Sequence, residues 1–360
     1  MTRRFLGWLA ASLASVAAVS PAARAQSEPA PAAAPAPASV PAPAPAPLPT
    51  RFDLSRPEIS QFVRDVIRRD GFTRSQVVSV LRKAVPQARA VDTMNKAPER
   101  VLQWWEYRRA FVSDKRIAEG VQFWNEHRAS LERIADEHGV APEYIVAILG
   151  CETDYGRITG RDRVLDQLMT FSFEYPTRAE YFRSELEQFL LLVREAHFDP
   201  LTVRGSYAGA MGAPQFMPSA VRRYAIDEHD DKLDLWNDWD DIIASIANYF
   251  RQNGWQPGAP VMMEARLDPN PTFQLDTRSL DLNTTLDALN AQGVQVDATL
   301  PGSTPARLIA AEQQDGPAYR VGFANFRVIT RYNSSARYAM AVHDLARSIA
   351  ERVHAAAPAS

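Results

Sequence analysis

Between Pro29 and Pro49 nearly every residue is proline or alanine, and nine are proline. Proline fixes its own backbone torsion and donates no hydrogen bond, while alanine carries little apolar surface. Such a tract can neither pair as a central strand nor bury a core. Residues 26–50 are therefore expected to form an extended polyproline-like spacer reaching roughly 3 Å per residue. Composition leaves open whether it gives reach or is an inert low-complexity tail. Any fold starts near residue 51. The 360-residue chain is 46% hydrophobic and 23% charged, so the residues beyond the tract are ample for a core.

The residues ahead of the tract read as an export signal. Arg3 and Arg4 are positive, Phe5 to Val19 is an apolar run, and Ala23-Arg24-Ala25 is a small-x-small cleavage pattern. Residues 1–25 are expected to be cleaved, leaving no transmembrane segment in the mature chain; an uncleaved anchor is the alternative. No cysteine ends the apolar run, so a lipid-bearing N-terminus is not expected. The single cysteine, Cys151, excludes an internal disulfide. Losing Arg3, Arg4 and Arg24 leaves the chain three units more acidic than its formal net charge of -3. That balance excludes nucleic acid as a bulk electrostatic partner.

From Ser55 the chain turns helical. Ser55-Arg56-Pro57-Glu58 and Thr73-Arg74-Ser75-Gln76 both read as capping boxes. One long helical pattern is expected from Ser113 to His138, closed by Gly139. The next opens at Pro142 and runs towards Gly156, and others fit 178–196, 218–226, 238–252 and 335–355. Pro260 to Leu267 and Tyr319 to Thr330 read as strand-like runs. The expected class is mainly α (α+β): a helical body over 51–256, a small β-containing subdomain over 257–332, and a C-terminal helix in 333–360 packing back on the helical region.

Glu152 is the most informative position. It lies three residues after Leu149 and seven after Ile145, which puts a carboxyl group on the apolar stripe of a helix, near its electronegative end. Burial there is expected to favour the protonated acid, which is what a general acid requires. The competing reading is a buried glutamate paired with Arg157 or Arg178. Cys151 beside it reads as a small buried apolar residue rather than a thiol nucleophile.

Five ordered motifs then carry a resemblance. They are Ala147 to Gly156; Phe171-Ser172-Phe173 with Tyr175 to Phe182; Gly205 to Gly212 with Pro214 to Ser219; Ala247 to Phe250; and Ile329 to Asn333. Together they resemble the lytic murein transglycosylases of the B type over roughly residues 55–355. The resemblance implies a lysozyme-like catalytic core in a helical surround, and cleavage of the β-1,4 bond between N-acetylmuramic acid and N-acetylglucosamine; with the export signal and no lipid-bearing cysteine, a periplasmic location is expected. It implies no required cofactor. One carboxylic acid protonates the leaving oxygen, the substrate acetamido group supports the anomeric centre, and the same carboxylate deprotonates the C6 hydroxyl to close a 1,6-anhydro ring. Glu152 matches that acid and base. Asp154, two positions on, points elsewhere on a helix and is a poor second carboxylate.

By the same resemblance, Ser206 and Gln215 bind acetamido and hydroxyl groups, and Met211, Phe216 and Met217 form apolar wall. Tyr107, Arg178, Tyr181, Tyr249, Tyr332, Asn333 and Tyr338 match positions that line the glycan groove or hold the catalytic carboxylate. Tyrosine suits a sugar, with a flat apolar face and a polar rim, and Arg178 can fork onto a lactyl or peptide carboxylate. Read without the family, most of these tyrosines would be half-buried core. Family members often carry two arginines after Tyr-Pro; here Thr177 precedes Arg178, so one substrate contact is missing.

Asp227 to Asp238 sits where some relatives hold a calcium loop. Asp227, His229 and Asp231 occupy partial ligand spacing, Lys232 replaces the turn glycine, and Asp241 can reach in as a later ligand. A solvated acidic loop is the leading reading and Ca²⁺ the alternative. The expected partners are peptidoglycan glycan strands, together with cell-wall synthesis or remodelling proteins, and a monomer is expected. The rival functions are a hydrolytic muramidase of similar fold and a non-catalytic peptidoglycan-binding scaffold.

Overall fold

The computed structural model describes residues 48–95, 102–229, 232–297 and 299–355. The expected export signal and nearly all of the proline-alanine spacer lie outside the described residues, as does Asp231. Helices α1 (Pro57–Asp70), α2 (Arg74–Leu81), α3 (Ala88–Met94), α4 (Trp104–Phe111), α5 (Asp114–Glu126), α6 (Arg128–His138) and α7 (Pro142–Thr153) come first. Next are β1 (Asp162–Arg163), α8 (Val164–Glu174), α9 (Ala179–Glu195), β2 (Arg204–Gly205), α10 (Pro218–Tyr224) and α11 (Trp239–Gln252). A sheet region comes after these, with β3 (Met262–Leu267), β4 (Thr284–Thr285), α12 (Leu286–Ala291), β5 (Val294–Val296), β6 (Pro305–Ala310) and β7 (Tyr319–Gly322). Helices α13 (Ala324–Tyr332) and α14 (Ala336–Ala355) close the chain.

α7 is buried on every side from Tyr144 to Thr153, as its nearly continuous apolar sequence requires. It is surrounded by α5, α6, α11 and above all α14. Strands β4-β6-β7-β3-β5 form one antiparallel sheet with a small core of its own around Leu286, Leu289, Val321 and Phe323. A buried ion pair fastens the sheet to the helices. Arg320 on β7 meets Asp344 on α14 at 2.8 Å and Glu264 on β3 at 2.8 Å, and Asp344 also receives Arg108 of α4 at 2.6 Å. No helix among the described residues is long and apolar enough to cross a membrane.

Three local expectations change. The second capping box forms on Thr73, but Arg56 is the N-cap of α1 and makes no side-chain cap. Ser55 stands one residue early, because Pro57 already occupies the first turn, and it turns back to the Asp53 carboxylate instead. The pattern from Ser113 to His138 breaks at His127, whose ring packs between Phe123 at 4.5 Å and Trp239 at 5.1 Å. A tertiary contact from α11 thus sets the boundary. The strand-like run from Tyr319 ends at Gly322 and continues as a helix. Asn325 in its first turn exchanges hydrogen bonds with the backbone of Gln256 and donates to the Ala259 carbonyl, which pulls the chain off the sheet.

Candidate active site

Glu152 occupies the last turn of α7 at 1% exposure. The Tyr338 hydroxyl, from the first turn of α14, donates to its Oε1 at 2.6 Å. Burial holds the Tyr338 and Tyr332 phenols far above their ordinary range, and the nearby Glu152 charge raises both further. Arg157 pairs with Glu119 at 2.6 Å and Asp154 at 2.8 Å, while Arg178 lies over the rings of Tyr181 and Phe182. Cys151 is 2% exposed, and burial pushes its thiol up to about 12. That state is the opposite of an activated thiolate.

Beyond Thr153 the chain enters left-handed conformations at Asp154 and Tyr155, which ends α7 and turns it away. Thr153 Oγ1 donates to the Ala213 carbonyl at 3.0 Å, tying the glutamate's helix to the glycine-rich loop. That loop folds on itself by backbone pairing of Met211 with both Gly205 and Phe216. Its hairpin needs glycine: a Cβ on Gly205 would sit 2.1 Å from the Ala210 carbonyl oxygen. Ser206 Oγ accepts from the amides of Ala208 and Ala210, so the hydroxyl organises the loop and retains its own proton to donate.

Gln215 sits at φ 54° with its side chain turned inward. Its amide nitrogen donates to the carbonyls of Gly212 at 2.8 Å and Thr159 at 3.1 Å. Two carbonyl partners fix which end is nitrogen, and they leave Oε1 buried with no hydrogen-bond partner among the described residues. A buried acceptor in that state is suited to a ligand N–H or O–H.

Tyr181, Gln215, Phe216, Met217, Tyr249 and Tyr332 line one cleft of about 260 Å³. Its floor is an aromatic cluster in which Tyr249 meets Tyr332 at 4.7 Å and Phe216 at 5.6 Å. Tyr332 is anchored by donation to the Pro214 carbonyl at 2.5 Å. Of the cleft residues, Tyr332 also feels the charge of Glu152, which raises its phenol. Other sequence-predicted residues do not line this cleft. Met211 is buried within the loop, Tyr107 is buried and stacks on Phe111, and Asn333 is buried with its amide nitrogen lacking a partner among the described residues.

The cleft also contains residues that sequence reasoning missed, namely Glu185, Ser219, Arg223, Tyr224 and Arg331. Glu185 is buried and accepts from both the amide and the hydroxyl of Ser219, at 2.9 and 2.6 Å. It thereby holds the start of α10, directly after the Gln215-Phe216-Met217 wall. Burial raises its carboxyl above the ordinary range, against the two Ser219 bonds. The signal was available, since Glu185 falls on the apolar face of its helix among Phe182, Leu186 and Phe189.

The acidic loop is built around its backbone. Both Asp241 oxygens accept amide protons, from Glu228 and Asp234 at 2.8 Å each. His229 is exposed and faces Asp240 at 3.6 Å. Among the described residues no group of three His, Cys, Asp or Glu side chains could hold a metal ion. Asp227, His229 and Asp241 as placed therefore do not form a cation cage among the described residues.

The transglycosylase SLT domain model matches residues 55–347. Over 310 residues the chain is 38% identical to the membrane-bound lytic murein transglycosylase B of Escherichia coli (strain K12), covering 82% of this chain and 83% of that protein. The crystal structure of soluble lytic transglycosylase SltB1 from Pseudomonas aeruginosa superposes with a TM-score of 0.77 at 44% identity, covering 82% of this chain and 99% of that one. The Escherichia coli lytic transglycosylase Slt35, solved in complex with calcium, gives 0.75 at 37% identity, covering 85% and 97%. A lysozyme-like, mostly helical body with a small sheet, a buried glutamate, an aromatic cleft, and relatives across nearly the whole described chain place this protein in the lytic murein transglycosylase family.

Proposed function

We propose that the protein is a peptidoglycan lytic transglycosylase in which Glu152 is the single general acid and base. The observation that carries this reading is one buried carboxyl group, fixed on one oxygen by Tyr338 and close enough to Tyr332 of the aromatic cleft for its charge to raise that phenol. The neighbouring acids are engaged elsewhere. Asp154 faces Arg157 at 2.8 Å and Arg116 at 3.6 Å, and Glu185 holds Ser219. A two-carboxylate glycosidase needs a second, opposed carboxylate, so a substrate-assisted route fits this arrangement better.

In that route protonated Glu152 gives its proton to the glycosidic oxygen as the bond to the muramyl C1 breaks. The substrate's acetamido oxygen closes on C1 and carries the positive charge. The Glu152 carboxylate then takes the C6 hydroxyl proton, O6 attacks C1, and the acetamido group is released. The 1,6-anhydro product forms without water, and Glu152 ends protonated again. In this reading Gln215 Oε1 accepts from the acetamido N–H, Ser206 donates to a sugar oxygen and the tyrosine cluster covers the sugar faces, which the unpartnered Gln215 oxygen and the aromatic lining support. Residues 51–256 and the helix of 333–360 would form the catalytic body, with 257–332 as an accessory sheet region. Export by the N-terminal signal would deliver the enzyme to the periplasm, where its substrate strands lie.

Mass spectrometry of digested sacculi tests the chemistry. The expected glycan ends are anhydromuramyl, lighter by one water than reducing ends. Reducing ends alone would establish a hydrolytic muramidase instead.

A further inference from the structure

Glu185 on α9 lines the proposed glycan cleft at 4% exposure, and among the described residues no cation pairs with it. Both its oxygens are taken by one residue, Ser219, through the amide at 2.9 Å and the hydroxyl at 2.6 Å. Both bonds favour the ionised carboxyl against its burial. The charge reaches a second cleft residue, since burial raises the Tyr181 phenol and Glu185 raises it further. An unpaired buried carboxylate is costly, and holding α10 does not require one. A neutral glutamine would accept the same amide proton from the first turn of α10, whose N-cap, Met217, supplies no side-chain cap.

What the charge adds is a direction for the Ser219 hydroxyl. A carboxylate accepts and never donates, so the hydroxyl spends its one proton on Glu185 and keeps only lone pairs. No donor reaches that oxygen among the described residues, and Ser219 is half-buried in the cleft lining. Gln215 Oε1 in the same cleft is likewise an acceptor with no partner among the described residues. A cleft with two fixed acceptors suits a ligand rich in O–H and N–H donors, as a sugar is.

We propose that Glu185 is a positioning residue that holds Ser219 Oγ as an acceptor-only group, and that this oxygen binds a sugar hydroxyl of the glycan. The inference rests on the glycan reading of the cleft. It makes Glu185→Gln an inversion rather than a deletion. The Ser219 amide can only donate, so the glutamine oxygen must face it and the glutamine nitrogen must face Ser219 Oγ. The hydroxyl proton is then displaced towards the cleft, where it opposes the donor that the oxygen formerly accepted. Shape is kept while polarity is reversed.

The test is calorimetric binding of the disaccharide N-acetylglucosaminyl-1,6-anhydro-N-acetylmuramic acid, which has no bond left for this chemistry to cut, to the full chain and three variants. Ser219→Ala and Glu185→Gln should each bind it about three- to tenfold more weakly, the scale of one net hydrogen bond. The Ser219→Ala/Glu185→Gln double variant should bind no more weakly than Ser219→Ala alone, because Glu185 acts through the hydroxyl. On soluble glycan strands Glu185→Gln should raise KM by a similar factor and leave kcat within about twofold, since the contact is made in ground and transition states alike. Native affinity in Glu185→Gln, a further loss in the double variant, or a kcat that falls together with the affinity would overturn the assignment. A native chain that does not bind the disaccharide contradicts the glycan reading itself, so the two failures are told apart.

Discussion

The Tyr338 hydroxyl donates to Oε1 of Glu152 at 2.6 Å, joining the first turn of α14 to the last turn of α7. Both side chains are buried, so the bond fixes the carboxyl rotamer without competition from water. Tyr338→Phe keeps the ring and removes only this donor. A hydrogen bond to a charged group contributes about 1.5–3 kcal/mol, so kcat should fall roughly 10- to 100-fold while KM moves little. Equal kcat in the variant would show that the hydroxyl does not position the acid.

Cys151 precedes the catalytic glutamate but is buried, with its thiol pushed up to about 12. Cys151→Ala should retain activity within about threefold and cost about 1 kcal/mol of stability through the lost sulfur contacts. The native enzyme should also resist alkylation by iodoacetamide until it is unfolded. Rapid labelling with parallel loss of activity would overturn this assignment.

Gln215 spends its amide nitrogen on two carbonyls, those of Gly212 and Thr159. Gln215→Glu places a carboxylate oxygen against both. Leaving buried acceptors unpaired costs about 1–3 kcal/mol each, so thermal melting should show a Tm lower by several degrees and activity should be lost with the wall. An unshifted Tm would mean that the side chain does not organise the loop.

His343 accounts for part of the acid sensitivity. Burial beside α7 pushes its imidazole down to about 4 from an ordinary 6.5; Asp344 opposes the shift while Arg320 and Arg347 assist it. Its Nδ1 lies 2.8 Å from the Tyr144 hydroxyl. Below pH 6.5 the unfolded chain takes up a proton that the folded chain refuses. Its contribution is therefore intact above that pH and lost as pH falls towards 4, by up to about 3 kcal/mol. Urea midpoints of His343→Asn should fall less steeply than the native midpoints over that window. Parallel curves would exclude His343 as the group responsible.

The sequence made local structure visible and long-range structure only where a residue broke its own pattern. Thr73, Pro142 and Gly139 mark helix ends because capping and backbone preference are local. Glu152 stood out because a carboxyl group on an apolar stripe conflicts with its surroundings. Glu185 breaks the pattern in the same way on α9, but its reason for burial, Ser219, lies on another helix. The partnership of Glu152 with Tyr338 spans 186 positions and leaves no trace in spacing. The break at His127 and the switch from strand to helix after Gly322 likewise come from contacts with Trp239, Gln256 and Ala259. Tertiary packing overrode periodicity at both places.

The central claim is that one carboxyl group does both proton transfers, and Glu152→Gln tests it most directly. The amide nearly preserves shape but can neither give nor take the proton. Digestion of sacculi by the variant, followed by mass spectrometry, should release no anhydromuramyl products above background, while pelleting shows that it still binds the sacculi. Anhydromuramyl products released at the native rate would contradict the account.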